Sequence, residues 1–207
     1  QTQRHCMMLE NCCYDFFELT CLNMAQHGLF GEVIHAEGGY VHNLEPFWEY
    51  YQNNWRLDYN QKHGGDVYAT HGLGPICQVM DIHRGDRITN LVSMATPSIN
   101  GLKIAKEMMN VDEFANPDMT ITLMQTHKGK TILIEHNVYT PRPYDRLFQL
   151  TGTEGFANKY PMQGFTLKGE NLPEGIIPDH ENLDYHRFVP EAVRDSLLVA
   201  YMHPIAK

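Results

Sequence analysis

The apolar positions change period several times along the chain, and each change predicts an element. Over residues 7–27 they recur at helical spacing, Phe16, Leu19 and Met24 among them, and Gly28 stands where a left-handed cap ends a helix. Over 32–42 the period drops to two. Ile34, Ala36, Gly38, Tyr40 and His42 then share one face of a strand, and Val33, His35, Glu37 and Val41 share the other. Residues 44–62 hold no period. Their aromatics (Trp48, Tyr50, Tyr51, Trp55, Tyr59) beside Arg56 read either as a binding loop for a sugar ring or as an aromatic loop packed over a core edge. A second helix is predicted over 75–84, with Ile76, Val79 and Met80 on one stripe and Gly85 ending it. Sheet dominates afterwards: a strand over 87–95, a helical insert around 102–109, and a hairpin of 118–126 and 130–140 joined through His127-Lys128-Gly129. A strand over 144–151 and a turn at Gly152-Thr153-Glu154-Gly155 follow. Beyond Tyr160 the chain reads as loop, rich in Gly, Pro and Asn, until 191–201 regains helical character. This order predicts one α+β domain over 1–207: a two-layer, open, mostly antiparallel sheet with helices on one face.

The densest chemistry lies in His63-Gly64-Gly65-Asp66-Val67-Tyr68-Ala69-Thr70-His71-Gly72-Leu73-Gly74-Pro75. Its glycines allow tight turning, and Pro75 suits the first position of the helix that follows. Tyr68 and His71, three apart, share one face of a turn or helix. Imidazole titrates near neutral pH and a phenol gives or takes a proton, so the pair suits general acid and base work. The alternative is a His that only caps a helix or sits satisfied in the core. Tyr40 and His42 share a strand face that is either a solvated surface or a substrate-facing floor. Pro141 and Pro143 bracket Arg142, which presents Arg142 and Tyr144 at a sheet end.

Charge removes several classes of partner. A net charge of -9 with no local Lys or Arg cluster excludes a nucleic-acid footprint. No apolar run approaches the ~18 residues of a membrane helix. The five cysteines lack paired metal spacing and read as buried free thiols. The 12 histidines include no His-x-x-x-His pair, so no metal site is expected. There is no Gly-x-Gly-x-x-Gly fingerprint and no phosphate-binding loop, so nothing here holds a dinucleotide alone. Gln1 and Lys207 read as cut ends.

Met7-Met8-Leu9-Glu10-Asn11, Gly31-Glu32 leading to Gly38-Gly39-Tyr40-x-His42, and Tyr68-x-Thr70-His71-Gly72-x-Gly74-Pro75 together resemble glycoside hydrolase family 109. Met80-Asp81-Ile82-x-Arg84-Gly85, Arg142-Pro143-Tyr144 and Gly152-Thr153-Glu154-Gly155 follow in the same order, so the resemblance runs to about Tyr160 and more weakly to the end. It implies the carboxy-terminal sheet domain of the Gfo/Idh/MocA oxidoreductase-like group, without the amino-terminal Rossmann domain that holds most of the NAD. It also implies α-N-acetylgalactosaminide substrates and NAD used as a recycled catalyst. Hydride leaves sugar C3, a base removes the C2 proton, the glycosidic bond breaks by elimination, water adds and the hydride returns. Carried over by position, His71 and Tyr68 are catalytic, Arg56, Tyr40, Tyr144 and His42 bind substrate, and Glu10 meets the cofactor. Without the resemblance Glu10 reads as an ordinary helix-start carboxylate. The resemblance further suggests a bacterial periplasmic or secreted protein and a homodimer through the open sheet face. Cys12-Cys13 and a short loop before Arg56 depart from the family pattern, which leaves aglycone and hexosamine preference open. Two other readings stay in play: a sugar or polyol dehydrogenase of the same group, and a non-catalytic sugar-binding or dimerisation module.

Overall fold

The computed structural model describes residues 3–51, 54–168 and 188–206. Helix α1 spans Phe16–Gln26; the Asp15 carboxylate accepts from Phe16 N at 2.8 Å, and Gly28, at φ 78°, lets the chain leave. It begins later than the 7–27 pattern implies. Residues 3–10 form neither helix nor strand, and a 3-10 turn over Asn11–Tyr14 bridges to α1. Strand β1 (Val33–Val41) carries a register shift between Val33 and His35. That bulge turns Val33 into the core beside Ala36 and leaves Ile34 exposed, which corrects the simple alternation expected there.

The described residues of the 44–62 stretch are largely helical rather than loop. A 3-10 turn over Glu45–Phe47 runs into α2 (Trp48–Tyr51), and α3 (Trp55–Lys62) is capped by Asn54, which accepts from Arg56 N at 3.2 Å. Helix α4 spans Thr70–Val79, so Pro75 is interior instead of opening the helix. Next come β2 (Ile88–Ala95), α5 (Asn100–Met109), and the hairpin of β3 (Thr120–Thr126) and β4 (Thr131–Asn137). The strand expected over 144–151 starts only at Phe148, as β5 (Phe148–Gly152); before it Asp145 makes a single bridge to Val41. Strands β6 (Gly155–Asn158) and β7 (Gly164–Leu167) follow, the latter where loop was expected. The Gly-, Pro- and Asn-rich stretch 169–187 lies outside the described residues. Helix α6 spans Glu191–Ala200.

The seven strands form one sheet in the order β2-β3-β4-β1-β5-β6-β7. Pairing is antiparallel throughout except between β1 and β4, where His35 to Val41 run alongside Thr131 to Asn137 in parallel. One face of the sheet carries Ala36, Ile132, Ile134, Leu150 and Phe165. Against it pack Phe17 and Met24 of α1, Ile76 of α4, and Val193 and Leu197 of α6. On the other face Ile34, Ile121 and Leu123 are exposed, so the expected two layers and open face are present. A second cluster joins Tyr40 at the end of β1 to Trp48, Leu57, Ile104, Phe114, Val138 and Tyr139.

All five cysteines are free, with Cys12, Cys13 and Cys21 buried and Cys6 exposed. Beside α1 the ammonium of Lys159, 5% exposed, donates to Asp15 Oδ2 at 2.7 Å and Glu18 Oε1 at 2.6 Å, tying the helix to the end of β6. A buried cation is tolerated here because two carboxylates face it. No described helix is long and apolar enough to cross a membrane.

Candidate active site

The site exists because α4 lies directly on β1. A Cβ at Gly38 would sit 2.6 Å from the Gly72 carbonyl oxygen, and one at Gly72 would press on the backbone of Gly39. Glycine on both surfaces therefore brings backbone to backbone and sets His71 beside Tyr40, ring centroids 4.9 Å apart. Gly74 serves a different neighbour. A Cβ there would stand 3.0 Å from Cys13 Sγ and from Glu10 Cγ, so its absence admits the amino-terminal turn. Gly72 and Gly74, expected to turn the chain ahead of Pro75, thus make room from within the helix. Pro75 itself removes the N–H that would otherwise bond the His71 carbonyl.

His71 Nδ1 lies 2.6 Å from Glu10 Oε1, with the two side chains 14% and 9% exposed. Burial pushes the Glu10 carboxyl up, but hydrogen bonds from His71, Thr70 and Cys12 N outweigh it and hold its pKa below the usual carboxylate value. A carboxylate facing Nδ1 places the imidazole proton there. Nε2 is left with a lone pair directed elsewhere, which is the tautomer a base requires.

Aromatic rings extend the array. Tyr40 stacks on Tyr68 at 5.1 Å, and Tyr68 meets His71 at 4.8 Å. The Tyr40 hydroxyl and His42 Nδ1 share a 3.2 Å hydrogen bond, and His42 meets Tyr144 edge-on at 4.9 Å. The Arg56 guanidinium lies over the rings of Tyr51, Trp55 and Tyr68 at 5.1–5.5 Å and donates to the Tyr51 hydroxyl at 3.3 Å. All seven residues singled out in the sequence (Glu10, Tyr40, His42, Arg56, Tyr68, His71 and Tyr144) therefore join one contact network. Burial, reinforced by Tyr51, Tyr68 and Tyr144, pushes the Tyr40 phenol up to about 12, so it stays protonated. Burial and then the Arg146 charge push His42 down, so it meets that phenol as a neutral ring.

Arg146 was missed by the sequence reading. It donates to Cys12 Sγ at 3.1 Å and lies over the Tyr144 ring at 5.6 Å, and Tyr160 meets Tyr144 at 5.8 Å. Burial pushes the Cys12 thiol up to about 11, so that contact does not neutralise the guanidinium. A signal was available: Arg146 stands two positions after Tyr144, which in extended chain puts them on one side. Arg142, expected beside Tyr144, instead pairs with Glu135 at 3.4 Å on the exposed surface. Glu10, Cys12 and His71 do bring three potential metal-ligand atoms within 4.8 Å of one another. A permanent cation against Cys12 and a proton between Glu10 and His71 oppose a metal ion there.

Residues 14–205 match the family described as glycosyl hydrolase 109, C-terminal domain. The chain is 57% identical to glycosyl hydrolase family 109 protein 1 of Phocaeicola vulgatus and 56% identical to a family 109 protein of Porphyromonas gingivalis. Each alignment covers 99% of this chain and 44% of the relative, so the chain spans less than half the length of these curated relatives. Among solved structures, an inositol dehydrogenase homologue complexed with NAD+ from Azotobacter vinelandii superposes with a TM-score of 0.53 at 18% identity, over 94% of this chain and 51% of that one. An NAD-binding oxidoreductase from Klebsiella pneumoniae gives 0.55 at 16% identity, over 72% of this chain and 38% of that one. At such identities these carry the fold alone, that of the sheet domain of Gfo/Idh/MocA-type oxidoreductases. With the family match running across nearly the whole sequence and relatives sharing more than half its residues, the chain belongs to glycosyl hydrolase family 109 as its C-terminal domain.

Proposed function

We propose that this domain supplies the sugar-binding and acid–base groups of an NAD-dependent glycosidase acting on α-N-acetylgalactosaminides. The observation that carries the reading is the 2.6 Å Glu10–His71 pair, set beside the stacked rings of Tyr40 and Tyr68. The domain fits contact with only part of NAD. It has no glycine-rich phosphate loop, while Arg146 has no carboxylate partner among the described residues and a buried Nε without a hydrogen bond, both suited to an electron-rich group of the cofactor. NAD, when bound, supplies the reversible oxidation at sugar C3 that makes the C2 proton acidic.

His71 Nε2, its tautomer held by Glu10, takes the C2 proton. The electron pair left behind forms the C1–C2 double bond as the C1–O bond breaks, and the aglycone oxygen departs with the bonding pair. Water then adds its oxygen at C1, the proton it releases ends on the departed aglycone oxygen, and His71 returns the proton to C2. Tyr68, in contact with His71, exchanges the proton of the C3 oxygen. Arg56 and Tyr144 hold sugar hydroxyls, while Tyr40 and His42 fix the ring floor. This route needs one positioned base and no second carboxylate, unlike hydrolysis by a carboxylate pair.

The test uses the full-length polypeptide with a nitrophenyl α-N-acetylgalactosaminide in deuterated water. Nitrophenol release without net NADH, with deuterium entering at C2, supports the reading. Net NADH without nitrophenol identifies a sugar or polyol dehydrogenase, and cleavage without C2 exchange removes the elimination route.

A further inference from the structure

The glycine turn that delivers Tyr68 to the site is held from outside, by a residue the sequence reading did not mark. Helix α3 carries Arg56 in its first turn and ends at Lys62, and an α-helix leaves its final carbonyls without partners inside it. The segment between α5 and β3 supplies them: Ala115 N donates to the Gln61 carbonyl and Asn116 N to the Asn60 carbonyl, each at 3.0 Å. The Asn116 side chain continues round the turn. Its Nδ2 donates to the Gly65 carbonyl at 2.9 Å and to the His63 carbonyl at 3.3 Å, where Gly65 turns the chain at φ 82°. The Asp66 carboxylate then accepts from Tyr68 N at 2.8 Å, and the chain enters α4.

Asn116 is itself held at both ends. It is 0% exposed, and its Oδ1 accepts from the Tyr139 hydroxyl at 2.7 Å, while that hydroxyl accepts from Asn60 Nδ2 at 2.9 Å. The amide nitrogen and oxygen are both engaged, so the side chain has one orientation and fixes the direction of the carbonyls it meets. The two sets of bonds act on different parts of the site. Those from the backbone hold α3 and with it Arg56, whose guanidinium lies over the Tyr68 ring at 5.5 Å. Those from the side chain hold the Gly65 peptide, three positions before Tyr68.

We propose that Asn116 is a positioning residue for Tyr68: its amide sets the turn at Gly65 and, through that turn, where the phenol stands against the C3 oxygen of the sugar. The inference rests on the reading that gives Tyr68 a proton-transfer role, and goes beyond it by naming a residue outside the site that governs the rate. Removing the side chain leaves both backbone bonds to α3, so Arg56 and sugar affinity stay. The turn relaxes and Tyr68 shifts, and a displacement of about 1 Å at a reacting group costs up to ~10² in rate.

The test compares Asn116→Ala, Tyr68→Phe and the double variant in the full-length polypeptide with NAD present. Calorimetric titration with N-acetylgalactosamine counts the sugar-binding sites and gives their affinity, and nitrophenol release from the nitrophenyl α-N-acetylgalactosaminide is expressed per site. Expected for Asn116→Ala is about tenfold slower turnover per site, with affinity within about threefold of wild type. In the Tyr68→Phe background the same substitution should cost less than about twofold, since a residue acting through Tyr68 has nothing further to lose there. Asp86→Ala is the reference for stability alone. It removes a buried carboxylate that accepts from Thr126 Oγ1, Arg87 N and Lys128 N at the opposite end of β3, and should lower the urea midpoint while leaving turnover per site unchanged. If Asn116→Ala fails to fold, Asn116→Ser, which keeps a hydroxyl for Tyr139, takes its place. Additive losses in the double variant, or unchanged turnover per site in the single one, overturn the proposal and leave Asn116 a structural residue. Where the unaltered protein gives net NADH without nitrophenol, the glycosidase reading falls and NADH formed per site carries the same comparison, so the two conclusions fail separately.

Discussion

Two histidines flank the ring of Tyr40, His71 at 4.9 Å and His136 at 6.3 Å between centroids, and their surroundings are opposite. His71 has a carboxylate 2.6 Å from Nδ1; His136 is 1% exposed, its Nδ1 has no partner, and burial pushes it down to about 4. Burial alone makes an imidazole a fixed neutral group. Burial against a carboxylate provides a place for the proton, so the ring can take one and give it back. One side of Tyr40 is therefore equipped for proton transfer and the other only for hydrogen bonding. Lys159, enclosed by Asp15 and Glu18, marks the far limit, a charge buried because it is always compensated.

The most severe way to break the contrast is His71→Ala. In the full-length polypeptide it should lower nitrophenol release by ~10² to 10⁴ while NAD stays bound, since a positioned acid or base contributes that much. Wild-type turnover in this variant ends the assignment of His71 as the base. Lys159→Met should cost ~3–5 kcal/mol in urea unfolding, because Glu18, 3% exposed, is left as an uncompensated buried charge. Pairing it with Glu18→Leu should restore most of the loss; a single variant within ~1 kcal/mol of wild type shows that compensation is not what permits the burial.

His136 sharpens the comparison through pH. Its folded pKa lies below the ordinary value of 6.5, so between pH 6.5 and 4 the unfolded chain takes a proton that the folded one refuses. Stability from this residue is complete above pH 6.5 and falls as pH drops, by up to about 3 kcal/mol across the window. Unfolding measured over that range should lose this slope in His136→Gln, and a slope that persists assigns it elsewhere. The depressed Glu10 carboxyl acts lower, its contribution being lost as pH falls below its ordinary 4.5. Glu10→Gln keeps an acceptor for Nδ1 but removes the charge, and should slow cleavage about 10- to 100-fold, the range of a hydrogen bond to a charged group. Tyr68→Phe should show the smallest fall in kcat, because His71 remains in place.

What the sequence disclosed follows from which residues bury one face. β3 alternates buried and exposed along its whole length, so its hairpin with β4 was legible from period two. Helices of four and eight residues, α2 and α3, are too short to show a period, and of their aromatics Trp48 is buried while Tyr50, Trp55 and Tyr59 are exposed, so 44–62 passed for a loop. The seven site candidates came from motif positions, and their convergence required the approach of Gly72 to Gly38, which no local pattern encodes. Arg146 lies just beyond the proline-bracketed Arg142, which drew attention instead. The unpaired Nδ1 of His136 was invisible by nature, since an unpaired nitrogen is a property of packing and not of residue type.

Glu10 reaches His71 from a segment with no regular structure, followed by a 3-10 turn that buries Cys12 and Cys13. The carboxylate therefore stays at Nδ1 only while this turn is seated against α4, in the room that Gly74 leaves for Cys13 and Glu10. A side chain at position 74 would withdraw the charge from the imidazole without altering either residue of the pair.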